Sequence, residues 1–122
     1  MLINLSNHPS TQWTSKQIEA ARQLSGDIVD YDFPSVSPLW DESMIKECGK
    51  SVFKDIMEKY GTHDMVIHLM GEFTLTYFLI ELFSEAGIPC VASCSERITI
   101  DNGDGTKFSR FDFVQFRRYI NK

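Results

Sequence analysis

Short apolar runs take turns with segments of helical period along this chain, and that alternation narrows the fold more than any other feature. "LINL" at Leu2 to Leu5 reads as a strand, closed by "SNHPS", whose Pro9 stops both strand and helix. "TSKQIEAARQL" follows with Thr14 or Ser15 as N-cap and Ile18, Ala21 and Leu24 on one stripe, a helix ended by Ser25-Gly26. "DIVDYDFP" alternates apolar and acidic residues, the pattern of a half-buried strand near an edge. Asp41 can cap a longer helix in which Met44, Ile45, Cys48, Val52, Phe53, Ile56 and Met57 recur at helical spacing, with Gly49 as a weak point.

The second half continues the rhythm. "DMVIHLM" is apolar without alternation, as in a central parallel strand buried on both faces. "EFTLTYFLIELFSEAG" is a helix closed by Gly87 and apolar around most of its circumference, so it is either sandwiched in the core or shared with a partner subunit. "IPCVASCSERITID" is a strand long enough to protrude beyond the sheet. Asn102-Gly103 and Asp104-Gly105 then turn the chain so that "TKFSRFDFVQF" returns antiparallel.

The order β-α-β-α-β-α-β-β with right-handed crossovers predicts an α/β fold. Its sheet is mostly parallel, in the order 2-1-3-4, with helices on both faces and a C-terminal antiparallel hairpin strand. With no linker, repeat or low-complexity tract, residues 1–122 form one domain. Ligands of such sheets sit beyond the C-terminal strand ends where the strand order reverses, here between the loops "SNHPST" and "MGEFTLT".

Composition removes several classes. The net charge of -5 argues against a broad footprint on duplex DNA, although it leaves room for a small enclosed anion. No apolar run reaches the roughly 18 residues of a membrane span, and the N-terminus lacks the pattern of a signal peptide, so the expectation is a cytoplasmic protein without a membrane partner. Cys90 and Cys94 on one strand would lie about 13 Å apart, too far for a disulfide, and with Cys48 they read as reduced core residues. No two histidines have metal-ligand spacing, so no metal site is expected. No cofactor is expected either. Walker and dinucleotide fingerprints are missing, as is a G-x-S-x-G elbow; "GDG" at 103–105 belongs to a hairpin.

The strand-to-helix joint "HLMGEFTLT" concentrates the chemistry. A helix N-terminus favours an anion and a glycine permits close approach, so Gly71, Thr74 and Thr76 are candidate phosphate and ribose contacts; the plainer reading is a tight turn with capping threonines. A carboxylate at Glu72 in the first turn stabilises a helix by itself, and it would repel phosphate unless it pointed away or contacted a ribose hydroxyl. Ser6, Asn7 and His8 form the opposing loop, with His8 the candidate acid or base. His68, inside a buried strand, reads as a satisfied core histidine. Ser95 and Arg97 in "SCSER" lie where the fourth strand leaves the sheet, and Arg97 either grips phosphate or makes a surface ion pair. Arg117 and Arg118 point to opposite faces, so at most one can serve the same site.

"LSNHPS", "HLMGEFTLTYFL", "GIPCVASCSERI" and the closing "FDFVQFRRY" together resemble the small stand-alone CRISPR-associated Rossmann-fold (CARF) proteins of the ring-nuclease type. That resemblance implies a Rossmann-like homodimer that binds cyclic oligoadenylate over its C-terminal strand ends. It also implies metal-independent cleavage by attack of a ribose 2′-hydroxyl on the adjacent phosphate, switching off type III CRISPR signalling. His8, Arg97 and Glu72 would then be the catalytic candidates, and Ser6, Asn7, Gly71, Thr74, Thr76 and Ser95 the ligand contacts. A binding-only sensor and a flavodoxin-like nucleotide or flavin module are the other readings; a yellow preparation would mark the last.

Overall fold

The computed structural model describes residues 1–121; Lys122, the last residue of the expected 1–122 domain, lies outside the described residues. Its elements are β1 (Leu2–Ser6), α1 (Ser15–Ser25), β2 (Ile28–Asp32), α2 (Glu42–Tyr60), β3 (Val66–Met70), α3 (Phe73–Glu85), β4 (Cys90–Asp101) and β5 (Lys107–Arg118). The five strands are ordered β2-β1-β3-β4-β5, parallel except for the antiparallel β4–β5 pair, as the alternation predicted.

Each helix begins where the sequence supplies a cap. The Thr14 side chain accepts from Gln17 N at the start of α1, and Asp41 accepts from Met44 N at the start of α2. Gly87 takes φ 75° after α3, a left-handed conformation that favours glycine. Gly49, a weak point by propensity, is where α2 meets α3: a Cβ there would strike the Phe78 ring, so the missing side chain sets how closely the helices pack.

Strand parity divides the sheet into two different faces. On one, Ile3 and Leu5 of β1 and Ile67 and Leu69 of β3 pack with Val52 and Ile56 of α2 and Leu75, Leu79 and Phe83 of α3 to form the main core. On the other, covered by α1, the side chains at the same strand level are polar: Asn4 and His68 are register partners, and both are buried. The apolar face supplies the hydrophobic driving force, so the polar face is free to carry chemistry.

Beyond the two residues of β4 that pair with β3, Cys90 and Val91, the strand runs on with β5 as a ribbon. Gly103 and Gly105 turn that ribbon at φ 79° and 89°. A register shift falls between Cys94 and Ser95, where β5 carries the extra residue Val114. The alternation of β4 is therefore undisturbed, and Ser93, Ser95 and Arg97 stay on the α1 side.

Candidate functional site

A cleft of about 560 Å³ opens over the C-terminal ends of β1, β3 and β4 on the α1 side. Ser6 and His8 come from the end of β1 and its loop, Gln12, Trp13 and Gln17 from the turn leading into α1 and from its first residues. His68 and Met70 come from β3, Ser93 and Ser95 from β4, and Phe111 from β5. This is the place where β1 leads to β2 on one side and β3 on the other, the reversal point at which open α/β sheets bind ligands.

Its floor is a continuous polar chain. Asp30 Oδ1 accepts from Asn4 Nδ2 at 2.9 Å; Asn4 Oδ1 lies 2.8 Å from His68 Nδ1; His68 Nε2 lies 2.7 Å from Ser93 Oγ; and Gln17 Nε2 donates to Ser93 Oγ at 3.0 Å. The loop after β1 is tied to the same chain. His8 O accepts from Asn4 Nδ2 at 2.8 Å, and Asp30 accepts from the Ser10 amide and hydroxyl at 2.9 and 2.8 Å.

Electrostatics follow from this packing. Trp13 and Phe116 meet the His68 ring edge-on at centroid distances of 5.1 and 5.5 Å. Burial in that aromatic box, with the nearby charge of His8 second, pushes the His68 pKa down to about 4, so the ring is neutral at physiological pH. For Asp30, burial raises the pKa, but the hydrogen bonds from Asn4 and Ser10 outweigh it and hold the carboxyl below its usual range.

Of the residues singled out in the sequence, Ser6, His8 and Ser95 line this cleft. The α3 joint does not join them, and here the expected phosphate cradle is corrected. Glu72 is itself the N-cap of α3: its carboxylate accepts from Thr74 N at 2.9 Å, from Leu75 N at 2.8 Å and from the Thr74 hydroxyl at 2.8 Å through both oxygens. The amides expected to hold phosphate thus already hold an anion, and burial, which would raise the Glu72 pKa, is overcome by those hydrogen bonds. Gly71 serves the buried Phe33 ring, which a Cβ would strike. Thr76 is turned into the core, with its hydroxyl unpartnered among the described residues.

Asn7 is exposed and does not line the cleft. Arg97 is exposed on the ribbon opposite Phe111, with Nε and Nη2 each 3.3 Å from Ser109 Oγ. Arg118 lines a hollow beside Gly87 and Pro89, where β4 begins, so it does not serve the cleft. Among the described residues no group of three or more His, Cys, Asp or Glu side chains is placed to hold a metal ion.

Glu72→Ala is expected to destabilise the protein by about 0.5–2 kcal/mol through loss of the α3 cap. Equilibrium urea unfolding measures it, and an unchanged midpoint would remove the capping role.

Residues 1–117 match the family described as "Uncharacterized protein MJ1673 family". The chain belongs to that family. The MJ1673-family match spans every strand and helix that lines the cleft, from β1 through the cleft-lining part of β5. No curated protein matches the chain.

Asn4, Asp30, Ser93, Trp13 and Gln17 were missed as site residues, and His68 was read only as core. A signal existed for two of them: "LINL" and "VIHLM" each place one polar residue inside an otherwise buried apolar run, and a buried polar group needs a partner. Nothing in the sequence says that the two runs pair in the register Asn4 with His68.

Proposed function

We propose that this protein is a metal-independent ring nuclease that binds a cyclic oligoadenylate in the cleft and opens it by attack of a ribose 2′-hydroxyl on the adjacent phosphate. The observation that carries the reading is the composition of the cleft at the reversal point of the sheet. Trp13 and Phe111 offer aromatic surface on which adenine can stack, and His8, Ser93 and Ser95 offer groups that hydrogen-bond ribose or phosphate or move a proton. The CARF-like motifs supply the substrate class. His8 is assigned to acid or base work, and Arg97, on the same face of the ribbon as Ser95, to charge stabilisation of the phosphorane.

A homodimer fits a ring of two-fold or higher symmetry, because each subunit presents the same cleft. The surplus apolar surface of α3 supports a partner face there: Phe73 is 88% and Tyr77 68% exposed, beside a hollow walled by Trp40 and Phe78.

Purified protein incubated with cyclic tri-, tetra- and hexa-adenylate in EDTA is expected to yield linear products ending in a 2′,3′-cyclic phosphate. Intact ligand that co-elutes with the protein would reduce the reading to a sensor, and the absence of both binding and cleavage would overturn it.

A further inference from the structure

The hydrogen atoms along the floor of the cleft can be placed by elimination. Both hydrogens of Asn4 Nδ2 point at groups that only accept, the carbonyl of His8 and the carboxylate of Asp30. Asn4 Oδ1 therefore faces His68, where it also accepts from the Ser6 hydroxyl at 2.7 Å. An amide oxygen cannot donate, so His68 Nδ1 carries the proton and Nε2 bears the lone pair. The neighbour of Nε2 is the Ser93 hydroxyl, which must then donate to it.

Ser93 Oγ has two lone pairs, and Gln17 Nε2 donates to one of them. The other is left for a ligand, and the half-buried side chain lines the cleft. Ser93 thus accepts one hydrogen bond from whatever occupies the cleft while its own proton is already directed at a neutral imidazole.

We infer that Ser93 and His68 form the proton-accepting relay of the site, with Ser93 a catalytic residue that takes the proton of a ligand hydroxyl and Asn4 and Asp30 as positioning residues that hold the His68 tautomer. The inference rests on the ring-nuclease reading, which names that hydroxyl as the ribose 2′-OH. As the O2′–P bond forms and the P–O5′ bond breaks, the 2′-proton passes to Ser93 Oγ and the Ser93 proton passes to His68 Nε2. The leaving 5′-oxygen is protonated by His8 or water, and His68 returns its proton to solvent through Ser93. A neutral base is needed for the first transfer, and the aromatic box keeps His68 neutral. Asp30, bonded through the Asn4 amide, offsets the charge that His68 gains transiently.

Two measurements test this, one of which does not depend on turnover. In ¹⁵N-edited NMR of the ligand-free protein at pH 7, His68 is expected as the Nδ1–H tautomer; the Nε2–H tautomer would overturn the relay. In single-turnover cleavage of the cyclic oligoadenylate that wild type cuts, Ser93→Ala is expected to slow the reaction at least about 100-fold with ligand Kd changed less than about threefold. Ser93→Thr, which restores a hydroxyl, should recover most of the rate. Equal cleavage by wild type and Ser93→Ala overturns the relay and leaves the nuclease reading standing. A wild-type protein that cleaves no cyclic oligoadenylate overturns both.

Discussion

Phe83→Ala is expected to lower unfolding stability by about 3–5 kcal/mol, the range for truncating a fully buried aromatic residue whose site cannot collapse. Phe83 is completely inaccessible, stands edge-on to Phe53 of α2 at a centroid distance of 5.2 Å, and belongs to the cluster beneath β1 and β3. Its removal opens a void bounded by two helices and a sheet that are each held by other contacts. In urea the midpoint should fall with little change in slope, since the surface exposed on unfolding is nearly the same. Phe73→Ala is the matched control: the same change on the same helix, at a residue that is 88% exposed, should fall within about 0.5 kcal/mol for the dissociated chain. If the two variants lose equal stability, the assignment of the α3 faces is wrong.

Acidification should cost the fold about 3 kcal/mol between pH 6.5 and 4, and His68 is the reason. Its pKa is 6.5 ordinarily and about 4 in the folded protein. In that window the unfolded chain binds a proton that the native state refuses, so stability falls as pH falls and levels off below 4. Each pH unit is worth about 1.4 kcal/mol, which gives the total. The carboxylates of Asp30 and Glu72, whose pKa values are lowered, lose their contribution at lower pH than His68 does. Unfolding curves at pH 7, 5.5 and 4 for wild type and His68→Gln separate the two: the variant should lose most of the slope between 6.5 and 4. An unchanged slope would mean that the His68 pKa is the same in the folded and unfolded states, and that burial in the aromatic box does not disfavour its protonation.

The site was less legible than the fold because its parts come from all five strands and from α1. His8, Ser6 and Ser95 could be placed near one another from the rule that ligands gather beyond the C-terminal strand ends. Gly71 and Glu72 obey the same rule and still fall elsewhere. Gly71 lies under Phe33, and the Glu72 side chain folds back onto its own helix. Sequence spacing locates a residue at an end of a strand; it does not say which face of the sheet the chain takes next. The apolar surplus of α3 was legible as such, and the structure divides it into a buried face at Leu75, Leu79 and Phe83 and an open one at Phe73 and Tyr77.

By itself the sequence determined the alternation of elements, the capping of α1 and α2, the two-glycine turn of the ribbon and the parallel order of the sheet. Each of these depends on local chemistry, on the period of apolar residues or on the fixed handedness of crossovers. The polar chain from Asp30 through Asn4 and His68 to Ser93 was decided only by tertiary structure. Its outermost members, residues 4 and 93, lie 89 positions apart, and the members meet because parallel pairing sets Asn4 opposite His68 and α1 closes over them. Register between distant strands is fixed by the packing of a whole face at once, and no short segment carries that information.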